Sequence, residues 1–107
     1  MFQKIKIKKR LTKFLNNFEN YSRLDLHNIS NYLYKNEPDI FESIFNNFQR
    51  IQIKEFKIKE IQKIDHVYFC KTDIKYKLDE NKHAITTNIR CNNELINLNF
   101  INNLTYN

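Results

Sequence analysis

The stretch CKTDIKYKLDENKHAITTNIRCNNELINLNF, residues 70–100, decides the fold. Apolar and polar side chains alternate along it, and Glu80–Asn81 and Asn92–Asn93 suit two-residue turns between strands. Folding the stretch at those turns puts every apolar row on one face of an antiparallel meander. Such alternation is typical of a sheet with one buried and one solvated face. In this register Cys70 pairs directly with Cys91.

The residues before this stretch extend the predicted sheet. At Ile51 the apolar period changes from helical to two, and its phase then shifts twice. We expect β-bulges near Lys54–Glu55 and near Glu60, because a long strand must bulge to keep its apolar side toward one core. Asp65–His66 forms the turn into the next strand. The sequence therefore predicts about four antiparallel strands over about residues 51–102.

The first half of the chain has helical periodicity. An apolar stripe with helical spacing comprises Leu11, Phe14, Leu15, Phe18 and Tyr21. Ser22 with Asp25 predicts the start of a second helix, which Leu26, Ile29 and Leu33 continue. Pro38, between acidic neighbours, predicts the start of a third helix. We expect these helices over about residues 8–48, while residues 1–7 fit either a short strand or an extension of the first helix.

The predicted architecture is α+β, with three N-terminal helices on one face of a curved antiparallel sheet, in a single domain of residues 1–107. Helices followed by a long bulged strand and a meander resemble the nuclear transport factor 2-like superfamily, the cystatin-like α+β roll. Residues 56–78, FKIKEIQKIDHVYFCKTDIKYKL, are similar in style to its small bacterial members. The resemblance implies a conical cavity but no single function, because members range from pocket enzymes to inert scaffolds.

The net charge of +6 indicates attraction to nucleic acid, anionic lipid or an acidic protein. An AT-rich genome favours the same Lys- and Asn-rich, Gly-free composition, so only clustering of charge argues for function. Two clusters exist. The N-terminal cluster contains no acidic residue and consists of Lys4, Lys6, Lys8, Lys9 and Arg10. The second lies on the predicted outer sheet face and consists of Lys71, Lys75, Lys77 and Arg90, with Lys57, Lys59 or Lys63 adding to it.

We therefore expect a non-enzymatic interaction module that binds an acidic macromolecule. Its predicted partner-binding residues are Lys71, Lys75, Lys77, Arg90, Lys8, Lys9 and Arg10. An acidic protein fits better than nucleic acid, because a platform for single-stranded nucleic acid needs interleaved aromatic residues and the outer face offers only Phe69. Nucleic-acid binding remains an alternative, and it requires an affinity that falls steeply with salt.

A second alternative is a pocket protein or small enzyme that uses the cavity between helices and sheet. The polar groups at that cavity are Tyr76, Thr87, His83 and Thr72. His83 would lie at its mouth, where a general base could act. The competing interpretation is that the hydroxyl groups are hydrogen-bonded inside a filled core.

Cys70 and Cys91 allow three interpretations: reduced core thiols, a cross-strand disulfide, or a metal or catalytic role. The sequence lacks C-x-x-C and any His or Cys spacing typical of a metal site, so we expect no metal, cofactor or catalytic residue. No apolar run approaches the roughly 20 residues of a membrane span, and we expect no membrane insertion. We expect a cytoplasmic location, or an extracytoplasmic one if the chain is an excised domain.

Overall fold

The computed structural model describes residues 2–30 and 36–105, and its first half is helical. The helices in chain order are α1 (Phe2–Asn16), a 3-10 turn (Phe18–Asn20), α2 (Arg23–Ile29), α3 (Pro38–Phe48) and, after the sheet, α4 (Phe100–Thr105). Residues 2–7 belong to α1, so the first helix begins earlier than the expected position near residue 8. Helices followed by an antiparallel sheet confirm the α+β class.

Local sequence signals set the starts of α2 and α3. The Asp25 N–H donates to Ser22 Oγ at 3.3 Å, and the Ser22 N–H donates to the Asp25 carboxylate at 2.8 Å. This reciprocal pair is the predicted capping box. Pro38 is the first residue of α3, where its missing N–H costs no helical hydrogen bond. Leu33, which we expected in the second helix, lies outside the described residues.

A three-stranded antiparallel sheet follows, in the order β1 (Ile51–Ile64), β2 (Val67–Leu78) and β3 (Asn81–Cys91). The β1–β2 register shifts between Ile53 and Glu55 and again between Ile58 and Glu60, which confirms both predicted bulges. Across the two bulges Ile53, Phe56, Ile58 and Ile61 of the 14-residue β1 all stay packed against the core, whereas Ile64 at its end is exposed. The first turn also lies at the predicted Asp65–His66.

The β2–β3 turn lies one position earlier than predicted. The strands end at Leu78 and resume at Asn81, so the turn is Asp79–Glu80 and not Glu80–Asn81. Asp79 has φ of 54°, a left-handed conformation that Asp adopts more readily than Glu. Arg50 holds the turn, since its guanidinium donates to the Asp79 carboxylate at 2.8 Å and its carbonyl accepts from the Asp79 N–H at 3.0 Å.

This turn shifts the pairing of β2 and β3 by two residues. Cys70 therefore lies opposite Ile89, and Cys91 lies opposite Tyr68, so the predicted direct Cys70–Cys91 pair is wrong. Because side chains alternate with a period of two, the shift keeps every residue on its predicted face. The division into a buried and a solvated face is thus confirmed.

The predicted fourth strand does not form. Only a single bridge, between Cys91 and Ile96, continues the sheet, which among the described residues ends at three strands instead of about four. The side chain of Asn92 accepts from the backbone N–H groups of Glu94 and Leu95 at 2.8 and 2.7 Å. These local bonds compete with a strand ladder. The chain turns into α4 instead.

The buried side chains of α1, α3, α4 and the inner sheet face form one hydrophobic cluster. α4 contributes Phe100, Ile101 and Leu104, which are at most 3% exposed. The Tyr76 hydroxyl, on β2, donates to the Leu104 carbonyl at 2.7 Å and thereby fixes α4 against the sheet. Among the described helices, none has the length and apolar character needed to cross a membrane.

Candidate partner-binding site on the outer sheet face

The outer sheet face is the surface of β2 and β3 that points away from the core. Its side chains are Lys71, Asp73, Lys75 and Lys77 on β2 and Lys82, Ala84, Thr86, Asn88 and Arg90 on β3. They alternate with buried residues along both strands, so they leave the sheet at regular intervals. Lys71, Lys75, Lys77 and Arg90 from the predicted set all lie on this face.

Acidic residues neutralise part of this face. Lys75 pairs with Glu55 of β1, with a nitrogen–oxygen distance of 3.6 Å, and Lys59 pairs with Asp73 at the same distance. The Thr86 hydroxyl donates to Asp73 at 2.5 Å. This hydrogen bond, and to a smaller extent the charge of Lys59, lowers the pKa of Asp73 below its ordinary value. The centre of the face is therefore a charge network and not a uniformly positive surface.

A cleft of about 630 Å³ opens at the end of the face nearest the Asp79–Glu80 turn. Its lining residues are Lys54, Lys75, Tyr76, Lys77, Lys82, His83 and Ala84. The small side chain of Ala84 lies opposite Lys75 and leaves the space that the lysines surround. Tyr76 is only 1% exposed, and its side chain belongs to the core behind the cleft. We call this feature the lysine cleft.

Lys77 and Lys82 lie directly opposite each other across the strands at the lysine cleft. Like charges in this position destabilise a sheet. Among residues 2–30 and 36–105, no carboxylate lies within 4 Å of either ammonium group or of Lys54. Of the lysines that line the cleft, Lys75 pairs with Glu55, whereas Lys54, Lys77 and Lys82 have no such partner in the described part of the chain.

The register explains why sequence analysis missed Lys54, Lys82 and Ala84. In the predicted register Lys82 lay opposite Asp79, and only the shift by two residues places it opposite Lys77. Lys54 is the extra residue of the first bulge, a position where strand alternation does not predict direction. An Asp in the turn was the sequence signal that could have corrected the register.

The remaining predicted partner-binding residues lie elsewhere. Arg90 packs over the Phe69 ring, with 5.5 Å from guanidinium carbon to ring centroid, near the other end of the face. Lys8 and Lys9 are exposed on α1. Arg10 donates to the backbone carbonyls of Asn92 and Asn93 and so holds the loop after β3. Since the inner sides of α1 and the sheet share one core, their outer surfaces face in opposite directions.

The hydroxyl groups on the inner sheet face are engaged in the core. Besides Tyr76, Thr72 donates to the Cys70 carbonyl at 3.1 Å, and Thr87 accepts from the Asn103 amide at 3.0 Å. Asn103 belongs to α4, the helix that replaces the predicted fourth strand. The His83 ring stacks on Tyr76 with a centroid distance of 5.3 Å. These contacts favour the interpretation of a filled core over an open pocket.

Cys70 and Cys91 are both buried free thiols. They occupy diagonal positions on neighbouring strands, and hydrogen bonding between the two thiols lowers the pKa of Cys70 below its ordinary value. That hydrogen bond and burial raise the pKa of Cys91 well above its ordinary value. A thiol with a raised pKa is a poor nucleophile, so Cys91 does not have the character of a reactive cysteine.

Among the described residues, no three or more His, Cys, Asp or Glu side chains are grouped so that they could hold a metal ion. The titratable groups near the lysine cleft are chiefly lysines, which suit binding of an anion. Comparison of the chain with protein-family models, with curated proteins and with solved structures finds no match.

Proposed function

We propose that this protein is a non-catalytic interaction module that binds an acidic segment of a partner protein in the lysine cleft. The observation that carries the proposal is the Lys77–Lys82 cross-strand pair, which keeps two like charges together at a cost to the sheet. Local choices that oppose stability concentrate at functional sites. An anion bound between the two ammonium groups converts their repulsion into attraction.

The spacing of the lysines supports an extended acidic segment as the ligand. Lys75 and Lys77 are alternate residues of β2, so their side chains leave the sheet about 6.4–6.8 Å apart. Alternate carboxylates of an extended peptide have the same spacing. Lys82 and Lys54 flank this row and can contact the same segment from both sides. Electrostatic attraction would speed the encounter, and the fixed strand spacing would select the ligand.

A protein ligand suits this face better than single-stranded nucleic acid. Bases need exposed aromatic rings on which to stack, and the outer aromatic residue, Phe69, is covered by Arg90. The cleft is also lined by lysines, whose ammonium groups act as point charges and do not give the bidentate base contacts of arginine. We further propose a nuclear transport factor 2-like fold, which the order of helices, bulged strand and meander supports.

Fluorescence anisotropy with a labelled Glu-rich peptide tests the proposal at low ionic strength. The cleft variant, Lys77→Gln/Lys82→Gln, is compared with a helix variant, Lys9→Gln/Lys13→Gln, that removes the same charge from α1. We expect the cleft variant to weaken binding at least about 10-fold, because each lost ionic contact contributes roughly 1 kcal/mol or more. We expect the helix variant to bind nearly as the unmodified protein does.

Equal weakening by both variants would show that only net charge matters and would refute a specific cleft. A labelled single-stranded oligonucleotide provides the second arm. Tighter, steeply salt-dependent binding of that probe would favour the nucleic-acid alternative. Loss of function in Tyr76→Phe or His83→Ala variants that still fold, with function kept in Lys77→Gln/Lys82→Gln, would favour the pocket alternative.

A further inference from the structure

The net positive charge of the chain resides in α1. This helix contains six of the 18 Lys and Arg residues and none of the 12 Asp and Glu residues. The rest of the chain therefore has equal numbers of basic and acidic residues. A bias in genome composition would spread lysines along the whole chain, so it does not explain a helix that is basic throughout.

Two large apolar side chains are exposed on the same helix. Phe2 is 83% exposed and Ile5 is 48% exposed, although Ile7, Leu11 and Phe14 of α1 are buried in the core. Phe2 and Ile5 are three residues apart, so they adjoin on the helix surface. The helix itself is well packed, because the opposite side of α1 is buried in the core, so Phe2 and Ile5 are exposed although α1 is firmly placed.

Lysines continue the row that these apolar residues begin. Lys9 and Lys13 follow Ile5 at intervals of four residues, and both are exposed. A groove of about 550 Å³ runs beside the row and is lined by Ile5, Lys8, Lys9, Thr12, Lys13, Asn16 and Asn17. The solvent side of α1 thus combines an apolar end with a long cationic flank.

We propose that the solvent side of α1 is a docking surface for an anionic lipid membrane. Helices that lie in the headgroup region combine bulky apolar side chains, which enter the acyl boundary, with lysines that contact anionic headgroups. A nucleic-acid backbone would satisfy the lysines but would leave Phe2 and Ile5 in water. The binding is peripheral, since none of the described helices is long and apolar enough to cross the bilayer.

This orientation keeps the lysine cleft accessible. The outer sheet face lies on the opposite side of the core from the solvent side of α1, so a membrane-docked molecule presents the cleft to the aqueous phase. The proposal rests on α1 alone and is independent of the acidic-peptide proposal. Together, the two surfaces would let the protein recruit an acidic partner to a membrane.

Vesicle flotation tests the membrane proposal, with phosphatidylcholine vesicles that contain either about 30% phosphatidylserine or none. We expect the unmodified protein to float with the anionic vesicles and to remain unbound with the neutral ones. Lys9→Gln/Lys13→Gln should weaken binding at least about 10-fold, because each lysine near an anionic surface contributes about 5-fold. Phe2→Ser/Ile5→Ser should also weaken it, and the charge-matched cleft variant should not.

Both apolar positions are exposed, so their substitution should leave the fold intact, which circular dichroism of each variant verifies. Failure of the unmodified protein to float with anionic vesicles would overturn the proposal. Equal loss in the helix and cleft variants would also overturn it, since net charge alone would then explain binding. If Phe2→Ser/Ile5→Ser floats as well as the unmodified protein, these apolar side chains do not contact the membrane. The proposal would then be overturned, because this contact is what distinguishes a membrane from any other polyanion.

Discussion

Lys77 and Lys82 face each other as a directly opposed pair on β2 and β3, beside a cleft that two more lysines line. Glu55 neutralises Lys75, one of those two, but no described carboxylate neutralises the opposed pair. Two like charges in opposed positions destabilise the sheet, so stability alone does not explain the pair. Binding of the proposed acidic ligand would explain why this unfavourable pair is present.

Removing one charge of the pair should stabilise the fold. We expect Lys82→Thr to raise the free energy of unfolding by about 0.2–1 kcal/mol, because it removes a like-charge pair from opposed strand positions. Urea denaturation should show a higher midpoint with an unchanged slope. The control is Lys75→Thr, which makes the same substitution on the same face but loses the Glu55 pair. Equal changes in both variants would contradict the prediction.

The hydroxyl of Tyr76 should matter for stability through α4. Tyr76→Phe leaves the buried Leu104 carbonyl without its 2.7 Å donor, so we expect a loss of about 1–3 kcal/mol in the free energy of unfolding. Hydrogen exchange should accelerate in Phe100–Thr105. Tyr68→Phe is the control, because its partner Gln3 is an exposed residue near the start of α1, where water can replace the bond. A larger loss in the control would contradict this account of α4.

The Arg50–Asp79 contact should make part of the stability depend on pH. Hydrogen bonding to Arg50, with the charge of Arg50 adding to it, lowers the pKa of Asp79 below its ordinary value of 3.8. A carboxyl group whose pKa is lower in the folded state stabilises the fold above its unfolded pKa, and it loses that effect as the pH falls through the folded pKa.

Asp79→Asn isolates this effect, since Asn also tolerates the left-handed conformation of the turn. We expect the variant to be less stable than the unmodified protein at about pH 6, with a difference that shrinks below about pH 4. Thermal melts across this pH range measure it. A difference that is independent of pH would show that the turn, and not the ion pair, is responsible.

The two thiols should be inaccessible in the folded protein. Cys70 and Cys91 are at most 3% exposed, and the raised pKa of Cys91 keeps it protonated at ordinary pH. We expect no modification by iodoacetamide at about pH 8 under native conditions and complete modification in denaturant. Mass spectrometry distinguishes the states. Resistance in denaturant that a reductant reverses would reveal a disulfide instead.

Much of the fold follows from local pattern. The period change at Ile51 and the two phase shifts after it predicted the strand and both bulges, because a buried sheet face imposes a strict period of two. The Ser22–Asp25 capping box was also predictable, since all of its atoms come from four consecutive residues.

What the sequence did not reveal depends on distant contacts or competing local bonds. Arg50 bonds to the β2–β3 turn from 29 residues away, and alternation cannot detect a shift of two. The Asn92 side chain ends the meander by bonding to nearby backbone, although residues 95–100 alternate as a strand would. The lysine cleft could not be predicted from alternation either, because Lys77 and Lys82 lie opposite each other only in the observed register.

Affinity capture from a lysate of the source organism tests the central claim most directly. The baits are the unmodified protein, Lys77→Gln/Lys82→Gln and the charge-matched Lys9→Gln/Lys13→Gln, each with and without nuclease. The lysine-cleft account predicts a protein with an acidic segment that the unmodified and helix-variant baits recover, that the cleft-variant bait loses, and that nuclease does not affect. Equal recovery by all three baits, or recovery of nucleic acid alone, would contradict it.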